Sequence, residues 1–177
     1  MSLAGEYGKA LFMLTEERKT TDTALADVLA ADTIFKENPE YVKLLDTPAI
    51  QKAEKLALCE EAFSTFDEDV KNLIKILCER HSVHEFSDVK RTFSSLYDES
   101  RGIVHVDAIT AVKMTDSQIE RLREKLAAET GKTIIINNTI APEILGGVKL
   151  RYLGRQLDGS VKTRLDNIEN SLKNTVI

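Results

Sequence analysis

Apolar residues recur every three or four positions from the start of the chain to about residue 102, the spacing that gathers side chains on one face of an α-helix. Leu3, Tyr7, Ala10, Leu11 and Leu14 share the face of a first helix. Leu25, Val28, Leu29 and Phe35 share that of a second, opened by the capping oxygens of Thr20 to Asp22. Pro39 and Pro48 each suit the first turn of a helix, where the missing N–H costs nothing, and Thr47 is a natural N-cap before Pro48. That placement predicts a short third helix over Tyr41 to Leu45 and a fourth through Ile50, Ala53, Leu56 and Phe63. The acidic run Asp67-Glu68-Asp69 complements the positive end of a fifth helix, which carries Val70, Leu73, Ile74, Ile76 and Leu77. Phe86, Val89, Phe93, Leu96 and Tyr97 define a sixth, stopped at Gly102. Six short helices with tight connections predict a compact bundle.

After Gly102 the period changes. Ile103 to Val112 alternates apolar and polar in a β-branched run, the pattern of a half-buried strand. Thr115 with Gln118 forms a capping box for a helix through Ile119, Leu122 and Leu126 that ends at Gly131. A second strand is expected over Thr133 to Asn137 and a third over Val148 to Leu153, turning at Gly154-Arg155 toward Gln156-Leu157. Asp158 to Ser160 then cap a last helix with Val161, Leu165, Ile168 and Leu172. The expected fold is mainly α: an N-terminal six-helix bundle over residues 1–102 followed by a small α+β C-terminal domain over residues 103–177.

Composition narrows the function classes. With 42% hydrophobic and 30% charged residues the chain has the balance of a folded soluble protein. Its net charge of −5, with both signs interspersed, offers no basic face to a phosphate backbone, so no nucleic-acid partner is expected. No apolar run approaches the roughly 18–20 residues that cross a bilayer, so neither direct membrane insertion nor export is expected. Cys59 and Cys78 are too few for a disulfide framework and fit a reducing compartment.

Candidate chemistry fails on spacing. Gly131-Lys132-Thr133 resembles the end of a phosphate-binding loop, but that loop needs a glycine at position 126, where Leu126 stands. Gly146, Gly147 and Gly154 have the wrong spacing for a dinucleotide loop and introduce a strand rather than a helix. Cys78, His81 and His84 lie three residues apart, but on a continuous helix they fan over about 120° and cannot converge on a metal. Asp158 with Ser160 reads as a helix cap rather than as part of a nucleophilic arrangement. No catalytic residues, cofactor or metal are expected. What remains is apolar area: Leu11, Phe12 and Leu14, like Leu73, Ile74, Ile76 and Leu77, spread around their helices more widely than one contact layer requires. Periodicity alone leaves open whether that area is internal core or a groove for an amphipathic partner helix.

The C-terminal segment carries a more specific pattern. Ile144-Leu145-Gly146-Gly147-Val148-Lys149-Leu150-Arg151, then Gly154, then Leu157-Asp158-Gly159-Ser160-Val161 with Arg164-Leu165, resembles the signature of the F-type ATP synthase delta subunit family, which includes the mitochondrial oligomycin-sensitivity-conferring protein. Tyr7-Gly8-Lys9-Ala10-Leu11 is similar to the family's opening, with Gly8 where alanine is usual, and Asn72-Leu73-Ile74 with Leu77, Glu79 and Arg80 is similar to its fifth helix. Ala141 departs from the aspartate that commonly precedes the proline of the double-glycine loop.

The resemblance implies a non-catalytic stator subunit that connects the catalytic head to the peripheral stalk and resists rotor torque during proton-driven ATP synthesis. It further implies that the helical bundle takes the N-terminal helix of an alpha subunit into a groove lined by Tyr7, Ala10, Leu11 and Leu14 on one side and Leu73, Ile76 and Leu77 on the other. The C-terminal domain would meet the peripheral stalk b subunits. The chain would be monomeric when isolated, present as one copy per complex, and peripheral on the cytoplasmic face of the cell membrane. The periodicity taken without the resemblance also permits a free-standing helical adaptor.

Overall fold

The computed structural model describes residues 3–144, 146–152 and 154–159. The architecture is mainly helical with a small sheet, and the chain divides into two compact units, Met1–Asp98 and Glu99–Ile177.

The helices are α1 (Leu3–Arg18), α2 (Thr21–Glu37), α3 (Pro39–Asp46), α4 (Lys52–Ala62), α5 (Glu68–Glu79) and α6 (Phe86–Arg101), with a single 3-10 turn at Val83–Glu85 ahead of α6. Their apolar faces converge on one core that includes Leu11, Val28, Leu45, Phe63, Leu73, Leu77 and Phe93. Aromatic rings organise it: Phe35 meets Phe63 and Phe86 edge to face at centroid distances of 5.5 and 5.1 Å, and Phe12 meets Phe93 at 5.9 Å. Asp67 caps α5 by accepting from the Asp69 N–H at 2.9 Å, as the acidic run predicts.

Two local expectations are corrected. The Thr47-Pro48 pair does not open α4. Thr47 is extended, as a residue before proline prefers, Pro48 lies in a turn, and the helix starts at Lys52 after Gln51. Proline suits a β-turn as well as a helical first turn, and local sequence does not separate the two. Thr20 sits at the N-cap position of α2, but its side chain makes no capping bond.

A buried polar network ties α2 to α6. Asp32 accepts from Lys36 Nζ at 2.7 Å, Ser87 Oγ at 2.6 Å and Lys90 Nζ at 3.3 Å. Burial pushes the Asp32 carboxyl up, but the hydrogen bonds from Lys36 and Ser87 and the charge of Lys90 outweigh it and hold it below the usual carboxylate range. A carboxyl lowered by folding stabilises the protein above its unfolded value, and that contribution is lost as pH falls through the folded one. Urea unfolding across a pH series should therefore show stability falling below about pH 4, with a flatter acid limb in Asp32→Asn.

The second unit holds β1 (Ile103–Thr110), α7 (Asp116–Thr130), β2 (Thr133–Ile140), β3 (Val148–Tyr152) and β4 (Arg155–Asp158). The sheet order is β2-β1-β3-β4: β1 and β2 run parallel, joined through α7, and the other two pairs are antiparallel. The Thr115–Gln118 capping box is formed in both directions, and Gly131 ends α7. Val104, Val106 and Ala108 of β1, with Ile134, Leu150 and Leu126, make the core of this unit. The first strand stops at Thr110, short of the expected Val112, and the second runs on to Ile140. Asp158 ends β4 and pairs with Lys149 at 3.0 Å. The expected helix through Val161, Leu165, Ile168 and Leu172, together with Leu145, Leu153, Ser160 and Arg164, lies outside the described residues.

Candidate partner-binding surface

Helices α1 and α5 pack side by side. Arg18, at the end of α1, donates to Asp69 in the first turn of α5 at 2.8 Å. At the other end the Arg80 guanidinium, just past α5, lies 5.8 Å from the centre of the Tyr7 ring, a cation–π contact. The two helices are therefore antiparallel.

Burial sorts the seven expected groove residues into two sets. Leu11, Leu73 and Leu77 belong to the core, and Leu77 has 0% of its surface exposed. They form a floor rather than a contact surface. Ala10 is exposed and Tyr7 half-buried, while Leu14 keeps 37% and Ile76 43% of its surface. Leu3, 47% exposed, extends the α1 stripe by one turn, since residues 3, 7, 10 and 14 fall on one helical face. Its place in the first-helix periodicity was the signal for including it. Arg80 is a further residue at this face, and no sequence spacing marks its stacking on Tyr7.

The remaining candidates disperse. Cys78 is buried and donates weakly to the Leu45 carbonyl at 3.8 Å, His81 Nδ1 meets Lys55 Nζ at 3.3 Å, and His84 Nδ1 meets Asp46 at 2.6 Å. Three side chains with three different partners do not share a metal. Cys59 is a buried free thiol that burial, with Cys78 beside it, pushes up to about 12; burial moves Cys78 in the same direction, so both are neutral near pH 7 and neither is poised as a nucleophile. Gly146 and Gly147 lie in the connection between β2 and β3. Gly154 makes the β3–β4 turn at φ 71°, a left-handed conformation that favours glycine. Among the described residues no helix is long and apolar enough to cross a membrane.

Comparison with known proteins covers nearly the whole chain. A family model described as ATP synthase delta (OSCP) subunit matches residues 3–172. Relatives include the ATP synthase subunit delta of Clostridioides difficile (strain 630), 31% identical over 176 residues that cover 98% of this chain and 97% of that one. That of Geobacillus sp. (strain WCH70) is 31% identical over 171 residues, 96% of each. A chain in the cryo-EM structure of the Toxoplasma gondii mitochondrial ATP synthase hexamer shares the fold, with a TM-score of 0.74 at 21% identity over 97% of this chain and 98% of that one. The family match spans residues 3–172, and the chain belongs to the ATP synthase delta (OSCP) subunit family.

Proposed function

We propose that this chain works as a non-catalytic stator subunit of an F-type ATP synthase, joining the catalytic head to the peripheral stalk and resisting rotor torque during proton-driven synthesis. The family match over residues 3–172 carries this reading. In it, the first unit is a six-helix bundle whose α1–α5 face receives the N-terminal helix of an alpha subunit. Tyr7, Ala10, Leu14 and Ile76 make the contact, supported from below by Leu11, Leu73 and Leu77. An exposed apolar stripe along two antiparallel helices suits the apolar face of a third helix. The second unit meets the b subunits, and the protein sits peripherally on the cytoplasmic face of the membrane-bound complex.

The physical demand on such a connector is slow dissociation under load. Burying apolar area at about 25 cal/mol per Å2 supplies it without chemistry, and gripping two partners with two units raises the effective concentration of each contact. Isothermal titration of the full chain with a peptide of the first ~20 residues of the same organism's alpha subunit, several helical turns, tests the docking. One-to-one binding with a negative heat-capacity change is expected. A folded protein that does not bind the peptide would remove the docking assignment, and failure to co-purify with alpha, beta and gamma subunits would remove the stator role.

A further inference from the structure

A cavity of about 400 Å3 lies in the first unit beside the Pro48–Gln51 turn, and Ile50, Lys55, Leu56, Cys78, Glu79 and His81 contribute to its lining. The most unusual of these is Lys55. It is 2% exposed, yet its Nζ donates only to neutral acceptors, the Leu45 carbonyl at 2.8 Å and His81 Nδ1 at 3.3 Å, and it makes no ion pair among the described residues. Lys52 and Glu79, also at the cavity, pair with each other at 3.0 Å and cancel. The Lys55 amine therefore stands buried with no ion-pair partner among the described residues, an arrangement proteins ordinarily avoid.

We propose that this cavity is a binding site for a small aliphatic carboxylate, with Lys55 as its counter-ion. An ammonium has three N–H donors and no lone pair; two donors are used within the protein, and one is left for a ligand oxygen. His81, whose Nδ1 lies 3.3 Å from Lys55 Nζ, adds a second polar side chain to the cavity lining. One uncompensated cation matches a monoanion, and a charge-assisted bond to a carboxylate is the strong form of such a contact. Ile50, Leu56 and Pro48 offer an apolar wall to a short hydrocarbon body, whereas a phosphate, with more charge and more acceptors, would find fewer partners.

The test is a two-dimensional NMR titration of the full chain with sodium butyrate at constant ionic strength held with sodium chloride, with inorganic phosphate titrated in parallel. Butyrate is expected to move the backbone amide signals of Lys55, Leu56 and His81 saturably, and Lys55→Met to weaken it by roughly tenfold or more. Ile50→Trp, which fills the cavity with a larger side chain and leaves the charge in place, is expected to weaken it as well and serves if Lys55→Met does not fold. An absence of saturable shifts in the wild type, unchanged butyrate affinity in a folded variant, or tighter binding of phosphate at the same residues would each overturn the assignment.

Discussion

Valine in place of Gly8 is expected to lower the stability of the N-terminal unit by about 2–3 kcal/mol, the upper part of the usual overpacking range. Gly8 lies within α1 where that helix passes α6. A Cβ built there would come within 2.7 Å of the Val89 carbonyl oxygen and 2.9 Å of Thr92 Cβ. The first of these atoms is backbone, so relief requires the two helices to separate. Separation would disturb the Phe12–Phe93 edge-to-face contact one turn further along α1. Replacing a helical glycine recovers at most about 1 kcal/mol of propensity, which does not cover that cost. Thermal unfolding followed by circular dichroism reads the result, at about 4–8 °C per kcal/mol for a unit of this size that melts on its own. Alanine should act in the same direction and less strongly. A variant that melts at or above the wild-type temperature would show that α6 can retreat without loss.

Aspartate at Ala10 is expected to weaken binding of the alpha-subunit peptide by at least about a hundredfold, or ~3 kcal/mol, while leaving the melting temperature nearly unchanged. Ala10 is exposed between Tyr7 and Leu14 on the α1 stripe, so the free protein keeps the new carboxylate in water. In the complex the same carboxylate would be forced into an apolar contact with no cation assigned to it. The combination separates binding from folding, which a change at fully buried Leu77 could not do. Calorimetry with the wild-type peptide and circular dichroism of the variant read the two effects. Wild-type affinity in the variant would place the docking surface elsewhere on the unit.

Much of the fold was legible locally. Pro39 at the start of α3, Asp67 at the cap of α5, the Thr115–Gln118 box and Gly131 after α7 act through bonds or backbone angles within a few residues, so their effect is written in adjacent letters. The wide apolar face of α5 was equally visible. The reading failed where one local pattern serves two conformations. Thr47-Pro48 fits a helix start and a turn alike. The turn was formed.

By itself the sequence determined the mainly helical class, the change of period after Gly102, the absence of a catalytic spacing and the resemblance carried by the Gly146-Gly147 segment, because each depends on residue type and interval alone. Tertiary structure decided the rest. It separated exposed Ala10, Leu14 and Ile76 from buried Leu11, Leu73 and Leu77, since periodicity reports that a face is apolar and not which neighbour covers it. It made Gly8 the point at which two helices approach closely. It also brought Lys55 to the Leu45 carbonyl and His81 with no ion pair of its own among the described residues, a placement that depends on contacts between residues apart in the chain.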